Sequence, residues 1–160
     1  TAVADLSCGV QCELRHFAFY VASVLVTGYD RHQAAILNKP QIIAAARAIL
    51  QGYTDDPVLQ DASMLFINLM KHSSQPGIYT FDIPMILSAL SSVHATNSII
   101  ADAYCAMSHV VYNNEHAKET VKTQVRSIAG LSAIIETHRI SEIHEISANS
   151  NYLVSLLFNE

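Results

Sequence analysis

At 160 residues, 51% of them apolar, the chain is long enough to bury one sizeable core, and a single domain is the default reading. Nine basic residues against fourteen acidic ones give a formal charge of −5, which lacks the basic excess of a nucleic-acid-binding domain. Charged residues are only 14%, well under the roughly 25% usual for a soluble domain, and tryptophan is absent.

In chain order, CELRHFAFYVASVLV (Cys12 to Val26) reads as a helix, followed by a short segment at DRHQAAIL (Asp30 to Leu37). Asn38 to Met70 then reads as two antiparallel helices. Pro40 is tolerated in a first turn, and Ile42, Ile43, Ala46, Ile49 and Leu50 fall on one stripe. Gly52 marks the end of that helix, TDDP is the turn, and Asp55 or Asp56 before Pro57 supplies a cap. Val58, Leu59, Ala62, Leu65, Phe66, Leu69 and Met70 make the second helix apolar over too wide an arc for one water-facing side, so it must be sandwiched.

A shift of 41 positions lays Asp61-Ala62 on Asp102-Ala103, Val58-Leu59 on Ile99-Ile100 and Ile42 on Ile83. IPMILSALSSV (Ile83 to Val93) thereby matches the first helix and NSIIADAYCAMSHVV (Asn97 to Val111) the second, with HATN as the turn and Asn97 as the cap. A third copy runs through SIAGLSAIIET (Ser127 to Thr137) and RISEIHEISANSNYLVSLLFN, with Ile128 lying 45 positions after Ile83. Ala148 and Asn149 are both open as the counterpart of Ala103. SSQPGIYTF (Ser73 to Phe81) and EHAKETVKTQ (Glu115 to Gln124) are each the size of one short extra helix or turn.

Periods of roughly 40–47 residues built from two or three helices belong to the HEAT and armadillo class. Three elements per unit favour the latter. IPMILSAL resembles the leucine-proline, leucine-rich second helix of the armadillo-repeat family, and DASMLFINLM resembles its third helix, over nearly the whole chain. The resemblance implies an all-α, right-handed α-solenoid of about three repeats: a partial unit at 1–29 and units at about 30–72, 73–114 and 115–160. A chain that starts within a unit and carries thin polar cover reads as a piece of a longer solenoid, or as a domain whose ends meet something else.

In that family the third helices line a concave face, where residue pairs at i, i+4, often tryptophan and asparagine, hold an extended peptide. Carried onto this sequence, the pairs are Met64 with Asn68 and Cys105 with His109. The partial unit would supply Tyr20 with Val24, and the last unit either Ser150 with Val154 or Asn151 with Ser155. The resulting groove candidates are Tyr20, Met64, Asn68, Cys105, His109 and Asn151. Without tryptophans, and with Asn68 alone keeping the amide at the asparagine position, a clamp on lysine-rich nuclear signals is not expected.

Other chemistries find little support. Cys8, Cys12 and His16 share a helical face at i, i+4, i+8, but their ends lie about 12 Å apart along an axis, too far for one tetrahedral zinc. They read as buried small hydrophobes and a boundary histidine. Lys118, Lys122 and Arg126 form the sole basic cluster and read as a solvated face, with Glu115–Lys118 and Glu119–Lys122 as opposite-charge pairs at i, i+3. His138 and His144 flank RISEI near Glu136, Glu142 and Glu145. H-E-x-x-H, Gly-x-Ser-x-Gly and P-loop patterns are all missing.

Three cysteines without framework spacing suit reduced thiols in an intracellular, cytoplasmic protein. No stretch reaches the roughly 18 apolar residues of a membrane span, Phe17 to Gly28 being too short, and no signal-peptide pattern or glycosylation sequon is present. The expectation is a soluble, non-enzymatic scaffold binding protein or peptide, with no cofactor, metal, membrane or nucleic-acid partner. The alternative is a structural segment that packs on neighbouring repeats or self-associates through apolar ends.

Overall fold

The computed structural model describes residue 35 and residues 39–52, 59–92 and 95–158. The expected helix over Cys12 to Val26, with Tyr20 and Val24, lies outside the described residues, as do Cys8, Cys12 and His16, the turn at TDDP, and all but Ala35 of the Asp30 to Leu37 segment. The described residues form α1 (Pro40–Gly52), α2 (Leu59–His72), a 3-10 helix (Pro76–Asp82), α3 (Ile83–Ala89), α4 (Asn97–Val111), α5 (Glu115–Ser127), α6 (Leu131–Arg139) and α7 (His144–Phe158). No strand occurs among them.

α1 begins at Pro40, whose missing N–H is harmless in a first turn, and buries Ile43, Ala46 and Leu50 with Ile42 packed beside them. From Ala62 to Met70, α2 buries every side chain except that of Met64, which is half-buried, because α1 and α4 both pack against it. The sandwiching expected from its wide apolar arc is therefore present. The segment after α2 is a 3-10 helix opened by Pro76, where the Thr80 hydroxyl donates to the Gly77 carbonyl at 2.6 Å and Tyr79 turns into the core.

Boundaries differ from the sequence reading at four places, each with a local cause. α3 stops at Ala89, not Val93. The Leu90 N–H is shared between the Ile86 and Leu87 carbonyls, Ser91 and Ser92 make i→i+3 bonds, and the Ser91 hydroxyl takes the Ser88 carbonyl at 2.8 Å. α4 spans Asn97 to Val111 as expected, but its cap is Thr96, whose hydroxyl accepts from the Ile99 N–H at 3.3 Å. α6 starts at Leu131, not Ser127, because Gly130 sits at φ 89, a left-handed conformation that ends the preceding turn. Arg139 closes α6, so α7 begins only at His144, after a connector in which the Ser141 hydroxyl accepts from the Ile143 N–H at 3.2 Å.

α5 is capped by Asn114, whose Oδ1 accepts from the Ala117 N–H at 3.0 Å, and it buries the stripe Ala117, Val121 and Val125. Its outer side carries the two expected pairs, Lys118 with Glu115 and Lys122 with Glu119, each at 2.6 Å. α4 is the central helix. Its most extensive neighbours are α2 and α7, while α3 touches α1 and α6, and the 3-10 helix touches α5. Among the described residues no helix is long and apolar enough to cross a membrane.

Candidate protein-binding face

α4 buries Ile99 to Ala101, Ala103, Tyr104, Ala106 to Ser108, Val110 and Val111 against its neighbours, which leaves one narrow side uncovered. Cys105 and His109, one turn apart, both stand exposed on that side. Asp102, the preceding position on the same stripe, accepts a hydrogen bond from Lys71 Nζ at 3.0 Å, and this ion pair ties the last turn of α2 to α4.

The remaining groove candidates are placed less openly. Met64 is half-buried, and Asn68 is only 8% exposed and already has a partner in the chain, so its amide is not an open clamp. On α7, Ser150 and Val154 are core residues, whereas Asn151 is exposed and Ser155 half-buried. Asn151 is occupied within the chain as well. Its Oδ1 accepts from Arg139 Nε at 2.9 Å, and its Nδ2 donates to the carbonyls of Ser147 at 2.8 Å and Arg139 at 3.3 Å. Tyr20 lies outside the described residues. Among the described candidates the freely presented pair is Cys105 with His109.

Polar sites that the sequence pattern missed lie between helices. Arg47 on α1 holds Asp82 in a two-bond fork, Nε to Oδ1 at 2.8 Å and Nη2 to Oδ2 at 3.0 Å, and its guanidinium lies 5.7 Å from the Phe66 ring centre. The hydrogen bond to Asp82 raises the guanidinium's pKa. Tyr79 stands beside this pair, its hydroxyl buried without a hydrogen-bond partner among the described residues, and burial pushes the phenol up to about 12.

On the far side of α4, the Tyr104 hydroxyl meets His138 Nδ1 at 2.8 Å, with the rings edge to face at 5.4 Å. Burial pushes the phenol up and the imidazole down, so both are held neutral, and the phenol donates when the ring carries its proton on Nε2. Neither pair has a local signature, because the partners are 35 and 34 residues apart.

Hollows also mark the surface of the described residues. An open groove of about 430 Å³ lies where the chain leaves α2 and α4, and a notch of about 220 Å³ lies between α5, α6 and α7 beside Arg126, whose guanidinium sits 5.3 Å from the Phe158 ring centre. No group of three or more His, Cys, Asp or Glu side chains among the described residues is placed to hold a metal ion. No protein-family model and no curated protein matches this chain.

Proposed function

We propose that the chain is a right-handed, armadillo-like α-solenoid of about three repeats, working in the cytoplasm as a non-enzymatic scaffold that binds a protein or peptide. The observation that carries this reading is the pairing of like with like. The third-type helices α2, α4 and α7 pack in succession, the second-type helices α1, α3 and α6 do the same, and the first-type segments, the 3-10 helix and α5, touch each other. The exposed Cys105 and His109 on α4 are the contact residues, with Met64 and Asn151 at the neighbouring helices.

A photoreactive maleimide attached at Cys105, in a Cys8→Ser/Cys12→Ser background, tests this in native extract. The expected result is a discrete crosslinked protein that is lost in His109→Ala while the melting temperature holds. Crosslinking indifferent to His109→Ala sinks the face. Asn68→Ala is a poorer probe, because a buried, partnered amide affects fold and binding together.

A second reading, self-association, draws on Ile140 at 81% and Ile143 at 44% exposure in the connector before α7. Light scattering across a concentration series separates the two: a monomer at every concentration removes self-association.

A further inference from the structure

We propose that Cys105 and His109 form half of a zinc site, which the same two residues of a second copy of the chain complete. Both side chains stand exposed on the uncovered side of α4, one turn apart, and neither has a hydrogen-bond or ion-pair partner among the described residues. The site needs only the exposure of this pair, so its failure leaves the peptide-binding reading of the face untouched.

A thiolate and an imidazole are the ligands that zinc takes in structural sites, at about 2.3 and 2.0–2.1 Å. Helical side chains at i, i+4 have Cβ atoms about 5–6 Å apart and lean towards the N-terminus of their helix. The longer ligand, His109, is the C-terminal one, so its ring reaches back over the turn that carries Cys105 and one ion can bridge the two. The same i, i+4 spacing places the paired histidines of helix-borne zinc sites.

One chain supplies too few ligands. Asp102, the preceding position on the stripe, is bonded to Lys71 at 3.0 Å, and no third His, Cys, Asp or Glu among the described residues is placed to join the pair. Structural zinc is held by four ligands. A two-fold axis over the uncovered side of α4 doubles the pair to two sulfurs and two nitrogens, a tetrahedral set that suits zinc. Each thiol gives up its proton as the metal binds, so two protons leave per ion and the two thiolates balance the charge of the dication. The Lys71–Asp102 pair beside the site is balanced in itself, so the two copies meet there without net repulsion.

The test titrates cobalt(II), as a spectroscopic stand-in, and zinc into the full chain with Cys8→Ser and Cys12→Ser, under a phosphine reductant. The expected result is a thiolate-to-cobalt charge-transfer band with the intense visible bands of a tetrahedral ion, saturating at one ion per two chains. Zinc should double the mass read by light scattering, and EDTA should reverse it. Cys105→Ser should abolish the charge-transfer band, and His109→Ala should weaken cobalt binding by at least the roughly 10–100-fold that loss of an outer-shell partner costs. Both residues are exposed, so the metal-free melting temperature should hold in each variant. His116→Ala, which removes an exposed histidine on α5, should change none of these readings. Saturation at one ion per chain, a spectrum without sulfur ligation, binding indifferent to both Cys105→Ser and His109→Ala, or a mass that zinc leaves unchanged overturns the proposal.

Discussion

The two sides of α4 are joined to the rest of the molecule by different chemistry. Towards α2 the polar tie is ionic, Lys71–Asp102 at 3.0 Å, and a second ion pair, the Arg47–Asp82 fork at 2.8 and 3.0 Å, joins α1 to the 3-10 helix. Towards α6 and α7 the polar ties are neutral, with Tyr104 meeting His138 at 2.8 Å and Asn149 Nδ2 donating to the Ala101 carbonyl at 3.0 Å. Both flanking helices bury apolar side chains, Leu65, Phe66 and Leu69 on α2 and Leu153, Val154 and Leu157 on α7. α4 therefore carries one ionic latch, at Asp102, and one neutral, titratable latch, at Tyr104, which respond to different conditions. Salt and loss of a counter-charge act on the first, and imidazole protonation acts on the second.

The largest expected effect comes from breaking the ion pair with the most buried carboxylate. Arg47→Ala strands an Asp82 carboxylate whose side chain is 9% exposed, next to the buried Tyr79 hydroxyl. Removing one partner of a fully buried pair costs about 3–5 kcal/mol; with the arginine side chain 44% exposed, about 2 kcal/mol is the expected loss. Asp82→Asn in the Arg47→Ala background should return part of it, because the stranded charge is then gone. Thermal unfolding of the two single variants and the double variant reads the coupling, and a coupling within about 0.5 kcal/mol of zero would make the fork an ordinary surface pair.

The neutral side should respond to acid. Burial lowers the pKa of His138 below its ordinary 6.5, so the unfolded chain binds the proton more readily than the folded one. The neutral form's full contribution is present above about pH 6.5 and is lost as pH falls from there through the lowered folded value. Protonation also turns Nδ1 from an acceptor into a donor, which leaves the Tyr104 hydroxyl to reverse its role in a buried site. His138→Gln should shrink the drop in melting temperature between pH 7 and pH 5, by about 1 kcal/mol in stability. Tyr104→Phe should leave a smaller change, since Nδ1 then has no phenol to repel. A drop in His138→Gln as large as in the parent chain would place the acid sensitivity elsewhere.

How much of this was legible beforehand follows from range. Glu115–Lys118 and Glu119–Lys122 could be read because both partners lie on one helix turn, and α4 because its apolar run and the turn before it are contiguous in the sequence. The late start of α6 was hidden, since Ile128 aligns with Ile83 by spacing while the left-handed Gly130 interrupts the backbone. Cys105 and His109 follow only from carrying the family's third-helix pattern onto the sequence, and both are exposed. The burial of Asn68 does not follow from that pattern, because it depends on how closely other elements cover that stretch of α2. Arg47–Asp82 and Tyr104–His138 join residues about one repeat apart and carry no signature until the helices are packed.

The smallest effect is the most selective one. Lys71 and Asp102 are 31% and 36% exposed, so their attraction is largely screened, and pairs of this kind contribute about 0.2–1 kcal/mol. Raising salt to about 1 M shrinks the screening length to about 3 Å, the length of the bond itself. Lys71→Met should therefore cost a few tenths of a kcal/mol at low salt and nothing measurable at high salt. Asn149→Ala should cost the same at both, because an amide donating to a carbonyl has no long-range charge to screen. Parallel salt responses for the two variants would mean that the ionic and neutral sides of α4 differ in appearance alone. A salt response confined to Lys71→Met would show that the helix is held on its two sides by forces that respond to separate conditions.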